Sequence, residues 1–351
     1  MKSIARMSLT PGMVIGEDIY SYKNELLLPE GTVINNSDIA KLSRYSIMCV
    51  TIKEPIDLAT THFEKVRVSQ EFHDFEKIYN KYMPVYKNIM IGFVEKGNPF
   101  GMRSLMGIYH AISTAAGSNE MLLDFLYNML PSEDNLTHAH CLNSALIAGV
   151  FGKWSGLSDE DLDILVQCAF LYDIGKLKLP YNLIWKPDKL TDLEFEKIKT
   201  HTMIGFDLLK DLNLDQHILN ATLMHHERND GSGYPSKLVG KQIDRFAKYI
   251  AIIDSYEAMT SARTYRQSLN PFLVIENFEK KGFDKYDLEF IVPILTKVAQ
   301  SQIGYTVLLS DGRKCEVKEI NPAALSRPLL RCEEEIVDLS KKRDLTIQAI
   351  I

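Results

Sequence analysis

The sequence predicts a mainly α-helical protein with a small β-rich module at each end. Apolar residues recur at helical spacing over most of the stretch from residue 62 to residue 300. Short β-prone runs separated by turn residues occupy residues 1–55, and alternating, β-branched runs follow Gly304. The 351 residues allow two or three domains and a large hydrophobic core.

The two N-terminal segments are distinguished by their apolar pattern. Within residues 1–55, β-prone runs at 13–15, 26–28 and 32–34 are separated by turns such as Pro11-Gly12 and Pro29-Glu30-Gly31. Residues 56–130 have helical spacing instead, with interruptions at Pro84, Gly97-Asn98-Pro99 and Gly117-Ser118. We therefore expect a small β-rich module followed by a helical connector of about three helices.

The central segment, residues 131–303, is predicted to be an all-helical domain. One helix face collects the apolar side chains of Leu162, Leu165, Val166, Ala169 and Phe170. Thr191 and Glu194 have the spacing of a capping box, which predicts a helix that starts there and continues through His201. After it, residues 304–351 predict a terminal β-hairpin module around the turn Ser310-Asp311-Gly312.

The composition excludes several classes of protein. With 40 Lys and Arg against 46 Asp and Glu, the net charge is −6, and no broad basic face for a nucleic acid polymer is indicated. The five cysteines form no C-x-x-C pair, which is typical of a reducing compartment. No apolar run has the length of a signal peptide or a membrane span. We expect a cytoplasmic protein whose anionic ligands bind at a local basic site.

Histidines are concentrated in the central domain. Six of the nine lie between positions 138 and 226: His138, His140, His201, His217, His225 and His226. Asp173 and Asp254 add carboxylates inside apolar helical segments, where an unpaired charge is costly. Each residue alone has a structural explanation, such as a helix cap or a hydrogen-bonded core histidine. Together, imidazole and carboxylate favour a site for iron, manganese, zinc or a similar divalent ion.

Several motifs occur in a fixed order within this domain. They are Tyr172-Asp173-Ile174-Gly175-Lys176, His201, the run from His225-His226-Glu227 to Gly233-Tyr234-Pro235, Asp254, and the run from Thr260-Ser261 to Arg263-Thr264-Tyr265-Arg266. This set, spread over about residues 131–300, closely resembles the HD-GYP family. That family belongs to the HD superfamily of metal-dependent phosphohydrolases and cleaves the bacterial second messenger cyclic di-GMP. The resemblance implies an HD-superfamily helical bundle.

The resemblance also implies a role for each matching residue. One metal would be held by His140, Asp173 and Asp254, and a second by Asp173, His201, His225 and His226. Asp173 and Lys176 match catalytic positions, and Lys176, Tyr234, Arg263 and Arg266 match contacts to the substrate. A third metal, present in some members, needs a glutamate where this chain has Leu136, so we expect none.

One ligand of the family is replaced, because Tyr172 stands where the superfamily motif has histidine. Three interpretations follow. The phenol of Tyr172 binds ferric iron, since phenolate suits hard, highly charged ions, although a pKa near 10 makes it a poor ligand for divalent ones. Alternatively, the first metal is held weakly and activity persists at a reduced level. In the third interpretation the chemistry is lost and the domain binds a nucleotide or a partner.

The resulting functional prediction is a metal-dependent phosphodiesterase of cyclic di-GMP, or of a related cyclic dinucleotide, with an altered first metal site. The alternative is a degenerate, non-catalytic HD-GYP domain that acts as a nucleotide-binding or protein-interaction effector. Iron or manganese is expected, with one ion held tightly and a second more weakly. The resemblance further implies contacts with signalling proteins through the Gly233-Tyr234-Pro235 loop, and a homodimer is a further prediction.

Overall fold

The protein is described here from a computed structural model, which covers residues 2–23, 25–53, 61–132, 135–186, 189–261 and 269–351. As predicted, it is mainly helical, with small β-sheets near both ends. None of the helices in these ranges is long and apolar enough to cross a lipid bilayer.

The N-terminal module combines strands with one helix. Its elements are β1 (Lys2–Ala5), β2 (Val14–Ile15), β3 (Ile19–Tyr20), β4 (Leu26–Leu28), α1 (Asn36–Arg44) and β5 (Cys49–Lys53). Strands β1, β5 and β2 form one antiparallel sheet, and β3 pairs with β4. The sequence interpretation missed α1, although Asn35 and Asp38 form a capping box at its start. Nine buried apolar residues give the module a hydrophobic core of its own.

From residue 61 onward, where the structure describes the connector, it contains four helices: α2 (His62–Arg67), α3 (Gln70–Lys96), α4 (Met102–Ala115) and α5 (Asn119–Asn128). The interruption predicted at Pro84 is wrong, because α3 runs through this residue. Pro84 is exposed, whereas Met83 and Tyr86 beside it are buried in the core. Burial of the apolar face of α3 therefore outweighs the local cost of proline in a helix.

The central domain is built from helices that surround α6 (Leu136–Trp154). The others are α7 (Asp159–Leu171), a short 3-10 helix (Ile174–Lys178), α8 (Tyr181–Ile184), α9 (Asp192–Lys199), α10 (His201–Leu209), α11 (Gln216–Met224), α12 (Arg245–Thr260), α13 (Pro271–Lys281) and α14 (Leu288–Gln300). Every residue of α6 from Leu136 to Gly152 is buried. Because α6 has no solvent-exposed face over this length, its polar side chains face other residues of the protein.

The predicted capping box of Thr191 and Glu194 is present, but the helix ends earlier than expected. Helix α9 stops at Lys199, and His201 begins α10. His201, the first residue of α10, is fully buried.

The C-terminal module is a five-stranded antiparallel sheet rather than a hairpin alone. Its strands are β6 (Thr306–Leu309), β7 (Lys314–Glu319), β8 (Leu329–Cys332), β9 (Glu335–Asp338) and β10 (Ile347–Ile350), in the order β10-β6-β7-β8-β9. The expected turn at residues 310–312 joins β6 to β7. A disulfide joins Cys315 to Cys332 across β7 and β8. These two cysteines do not form a C-x-x-C motif, and the sequence interpretation did not predict their pairing. Apolar residues of this sheet share one continuous core with the connector and the central helices.

Candidate metal centre

Five helical segments bring the predicted metal ligands to one place. His140 lies on α6, Asp173 follows α7, and His201 begins α10. His225 and His226 follow α11, and Asp254 lies on α12. The ligand atoms form two groups, and within each group all of them lie within 4.8 Å of one another. We call Asp173, His201, His225 and His226 the histidine-rich cluster, and His140, Asp173 and Asp254 the carboxylate cluster.

Gly175 allows the 3-10 helix that follows Asp173 to contact α10 closely. A Cβ atom at position 175 would lie 1.9 Å from the carbonyl oxygen of His201 and 2.7 Å from the amide nitrogen of Gly205. Neither backbone atom can retreat without moving α10. A residue without a side chain is therefore required between the two ligands Asp173 and His201.

In the histidine-rich cluster, the ring nitrogens of His201 and His225 have defined roles. Nδ1 of His201 lies 2.7 Å from the carbonyl oxygen of Ile198, and Nδ1 of His225 lies 3.1 Å from that of Ala221. Because carbonyl oxygens only accept, both Nδ1 atoms carry the proton, and both Nε2 atoms present a lone pair. The two Nε2 atoms are 3.2 Å apart.

The same two lone pairs face a carboxylate oxygen. Oδ1 of Asp173 lies 3.3 Å from Nε2 of His201 and 3.4 Å from Nε2 of His225. This oxygen is buried and has no hydrogen-bond partner among the residues that the structure describes. Three acceptors without a proton between them repel one another unless a cation lies among them. The histidine-rich cluster therefore fits a metal ion by the chemistry of its own donor atoms.

Burial and charge set the protonation of this cluster. Burial lowers the pKa of His201, and burial together with His225 lowers the pKa of His226 well below its usual range. Burial alone would raise the pKa of Asp173, but the charge of the Lys176 ammonium holds it well below its usual range. Neutral imidazoles and an ionised carboxylate are the forms that bind metal.

The carboxylate cluster uses the other oxygen of Asp173. Nε2 of His140 lies 3.0 Å from Oδ1 of Asp254 and 3.3 Å from Oδ2 of Asp173. Lys176 also contacts Oδ2 of Asp173, at 2.5 Å. Since Oδ1 of Asp173 faces one cluster and Oδ2 the other, this residue has the geometry of a bridge between two metal positions.

Tyr172 is fully buried against the carboxylate cluster. Its hydroxyl lies 2.6 Å from Nε2 of His140, 3.1 Å from Oγ of Ser144 and 3.4 Å from Oδ1 of Asp254. Burial, followed by the charges of Asp173 and Asp254, raises the pKa of Tyr172 well above its usual value. The side chain is therefore a neutral phenol, and its hydroxyl donates a hydrogen bond to an acceptor of this cluster.

Tyr234 covers the histidine-rich cluster from the loop that follows His226. Its ring stacks on that of His226, with ring centroids 4.6 Å apart, and the ammonium of Lys199 lies 5.5 Å from its centroid. A Cβ atom on Gly233 would lie about 2.5 Å from backbone atoms of residues 226–228. Glycine at this position therefore lets the loop pack tightly enough to place the ring of Tyr234 against that of His226.

Two other histidines of the sequence cluster lie outside the centre. His138 is buried beside Tyr86, with an edge-to-face contact at 6.3 Å between ring centroids. His217 contacts Asp244, the residue that caps α12, with Nδ1 2.7 Å from the carboxylate. Two predicted substrate contacts, Arg263 and Arg266, lie outside the described residues.

The sequence interpretation missed three polar residues, Glu257, Asn143 and Ser144, that lie beside the carboxylate cluster. The carboxylate of Glu257 contacts Nδ1 of His140, and Asn143 and Ser144 lie on the same helix as that histidine. Glu257 follows Asp254 by three positions, so both side chains lie on one face of α12. That spacing was the available signal for Glu257, whereas nothing in the sequence marked Ser144.

Sequence comparisons relate this chain to known proteins. Residues 124–289 match the family model described as HD domain. The chain is 36% identical over 148 residues to the cyclic di-GMP phosphodiesterase response regulator RpfG of Xanthomonas campestris, covering 42% of this chain and 39% of that protein. It is 34% identical over 143 residues to the 3'3'-cGAMP-specific phosphodiesterase 1 of Vibrio cholerae, covering 41% of this chain and 33% of that protein. The chain thus spans less than half the length of either relative.

A solved structure supports the fold. Bd1817, described as an HDG"Y"P protein from Bdellovibrio bacteriovorus, matches with a TM-score of 0.50 and 16% sequence identity. The match covers 85% of this chain and 99% of that one. At this identity the likeness concerns the arrangement of the chain only.

Proposed function

We propose that this chain, whose helical domain is an HD domain of the HD-GYP type, is a metal-dependent phosphodiesterase that hydrolyses cyclic di-GMP or a related cyclic dinucleotide. The observation that carries the proposal is the meeting of three proton-free acceptors, namely Nε2 of His201, Nε2 of His225 and Oδ1 of Asp173. Such an arrangement is costly in a protein interior unless it serves to bind a cation.

We propose iron or manganese as the metal, since both bind mixed imidazole and carboxylate ligands. His201, His225, His226 and Asp173 would hold one ion tightly with four protein ligands. His140, Asp173 and Asp254 would hold a second ion more weakly, because this cluster offers one ligand fewer. The two sites would share Asp173 as a bridge.

The catalytic roles follow from charge and position. When bound, the two ions supply Lewis acidity for hydrolysis of a phosphate diester. Asp173 would orient both sites, and the Lys176 ammonium, 2.5 Å from Oδ2 of Asp173, would bind a phosphate oxygen of the substrate. Tyr234 would pack against the substrate beside His226. Arg263 and Arg266, proposed from their motif positions, would contribute further contacts to the diester.

The direct test is product analysis with metal-loaded, anaerobically purified protein. Cyclic di-GMP and 3'3'-cGAMP are incubated separately with the protein, and the products are identified by mass spectrometry. We expect conversion of at least one of them to a linear dinucleotide or mononucleotides, and loss of that conversion when a chelator is added. Intact substrates at full metal loading would contradict the proposal.

The alternative, a non-catalytic nucleotide-binding or protein-interaction effector, is favoured by one specific feature. In the carboxylate cluster, the Tyr172 hydroxyl contacts His140, and the Lys176 ammonium pairs with Asp173. These contacts provide partners for the buried acceptor atoms of His140 and Asp173 without a second ion. Tight binding of cyclic di-GMP without turnover by the metal-loaded protein would support this alternative.

The wider assembly and setting stay predictions. We propose that the Gly233-Tyr234-Pro235 loop contacts signalling partners, that the chain forms a homodimer, and that it acts in the cytoplasm. We also propose the division at 1–55, 56–130, 131–303 and 304–351. Pull-down with a loop variant and measurement of the molar mass in solution would test the first two.

A further inference from the structure

We propose that Glu257 is a positioning residue that holds His140 in the form able to bind metal, and thereby supports the cluster that has lost a ligand. The inference deepens the proposed function and rests on the two metal positions described above. It gives a function to the buried carboxylate of Glu257, a residue to which the family resemblance assigned no role.

Both carboxylate oxygens of Glu257 have hydrogen-bond partners. Its side chain is 3% exposed, and Oε2 lies 2.5 Å from Nδ1 of His140. Oε1 accepts hydrogen bonds from Nδ2 of Asn143, at 3.1 Å, and from Oγ of Ser261. Asn143 in turn accepts a hydrogen bond from the hydroxyl of Tyr79, at 2.7 Å. Each neighbour is thereby fixed in orientation, and Glu257 is held at the back of the His140 ring.

This geometry fixes Nδ1 of His140 as the nitrogen that donates toward Glu257. An ionised carboxylate only accepts, so Nδ1 of His140 must be the donor. In the neutral imidazole, the lone pair on Nε2 then points toward Asp254 and Asp173. If the proton moved to Nε2, it would face those carboxylates and the nitrogen would no longer bind a metal ion.

The partner of His140 differs in kind from those of the other ligands. Nδ1 of His201 and of His225 donates to neutral backbone carbonyls, whereas Nδ1 of His140 faces a negative charge. A carboxylate on the distal nitrogen makes a ligating imidazole a stronger donor to metal. The histidine whose distal nitrogen faces a carboxylate, His140, thus belongs to the cluster in which Tyr172 replaces a ligand.

A purely structural role does not account for the charge. A glutamine could accept from Asn143 and Ser261 through its oxygen without the cost of burying an ionised group. Its amide nitrogen would then face Nδ1 of His140, where it can only donate. A carboxylate at this position is therefore explained by what it does to His140.

The test is anaerobic titration of the metal-free protein with Mn²⁺, monitored by electron paramagnetic resonance, which separates free from bound ions. Glu257→Gln is compared with Glu276→Gln, a control on α13 that removes a surface ion pair with Lys280. We expect Glu257→Gln to weaken the lower-affinity Mn²⁺ site by about 10- to 100-fold and to leave the higher-affinity site unchanged. Glu257→Asp, which keeps the charge, should lose less than Glu257→Gln.

The same pair of variants is also made in a Tyr172→His background, which supplies the missing ligand type and which we expect to strengthen the weaker site. Selective weakening of one site in either background supports the proposal. Equal weakening of both sites, or no change in either background, overturns it. If the unmodified chain binds no Mn²⁺ at all, the proposed function itself fails, and the two failures are thereby distinguished.

Discussion

At the scale of single residues, Tyr172 determines how the carboxylate cluster works. Its hydroxyl lies beside His140 and Asp254, next to two acceptors that a metal would need. Tyr172→His puts the missing kind of ligand on the same backbone position, so we expect hydrolysis of cyclic di-GMP to increase by about 10- to 100-fold. Turnover is measured together with metal content.

Tyr172→Phe is the matched control, because it removes the hydroxyl without adding a ligand. No comparable gain is expected from it. If Tyr172→His leaves activity at zero although two ions are bound, an impaired enzyme is the wrong description. Phenolate ligation or a binding-only role would then have to replace it.

Asp173 is the residue shared by both clusters. Its oxygens face different groups of ligands, so Asp173→Asn should weaken both metal sites and lower turnover by at least about 100-fold. Asp211→Asn, at an exposed position, serves as the control. Retention of one full-affinity site in Asp173→Asn would show that the carboxylate does not bridge.

Some residues of the metal centre could be predicted from the sequence and others could not. The concentration of histidines indicated a metal site, and the resemblance to the HD-GYP family implied His140, Asp173, His201 and Asp254 among its ligands. The structure places these four in two clusters that share Asp173. Glu257 was missed because a single sequence does not reveal which side chain on α12 meets which nitrogen on α6. The outcome of the Tyr172 substitution depends on distances that no pattern contains.

At the scale of elements, the contact between the 3-10 helix and α10 is the most constrained. Gly175→Ala would force a Cβ atom against the backbone of α10, so we expect a loss of about 1–3 kcal/mol in the free energy of unfolding. Metal affinity should fall as well, because Asp173 and His201 flank the contact. Gly107→Ala, on the exposed face of α4 with open space around the new methyl group, should be neutral or slightly stabilising. Equal effects of the two variants, measured by chemical denaturation, would contradict the argument.

The capping box of α9 predicts a pH dependence. Hydrogen bonds from Lys186 and from the backbone of Thr191 lower the pKa of Glu194 from 4.5 to about 2. A lowered pKa stabilises the fold above about pH 4.5, and this contribution is lost as the pH falls toward 2. Glu194→Gln should therefore be less stable than the unmodified chain at pH 7, with the difference shrinking at acidic pH. A difference that stays constant between pH 7 and pH 3 in denaturation experiments would refute this.

Elements were predicted best where one local pattern dominated. The capping box of Thr191 is local and was identified, and so was the turn at residues 310–312. Pro84 was misjudged because burial of Met83 and Tyr86 in the tertiary core decides the course of α3. The Cys315–Cys332 disulfide depends on the pairing of β7 with β8, which a single sequence does not specify.

At the scale of the whole molecule, the metal ligands are held by a large continuous core. That core includes connector helices, the central helices and the C-terminal sheet, whereas the N-terminal module buries its apolar residues separately. The helical or β character of each segment follows from local patterns and could be predicted. Which segments pack together in this core depends on contacts between residues distant in sequence and could not be predicted. The ligands depend on the larger core, because α6 and α12 are buried within it.

We propose that hydrolysis depends on one tightly held ion and a second, weaker one. The most direct measurement determines turnover of cyclic di-GMP against metal content in the same anaerobically purified sample. We predict about one retained ion per chain, and turnover that increases as a second equivalent of Mn²⁺ or Fe²⁺ is added and disappears with a chelator. Turnover that is independent of metal, or the absence of turnover when two ions are bound, would show that the protein does not hydrolyse its substrate through this pair of metal sites.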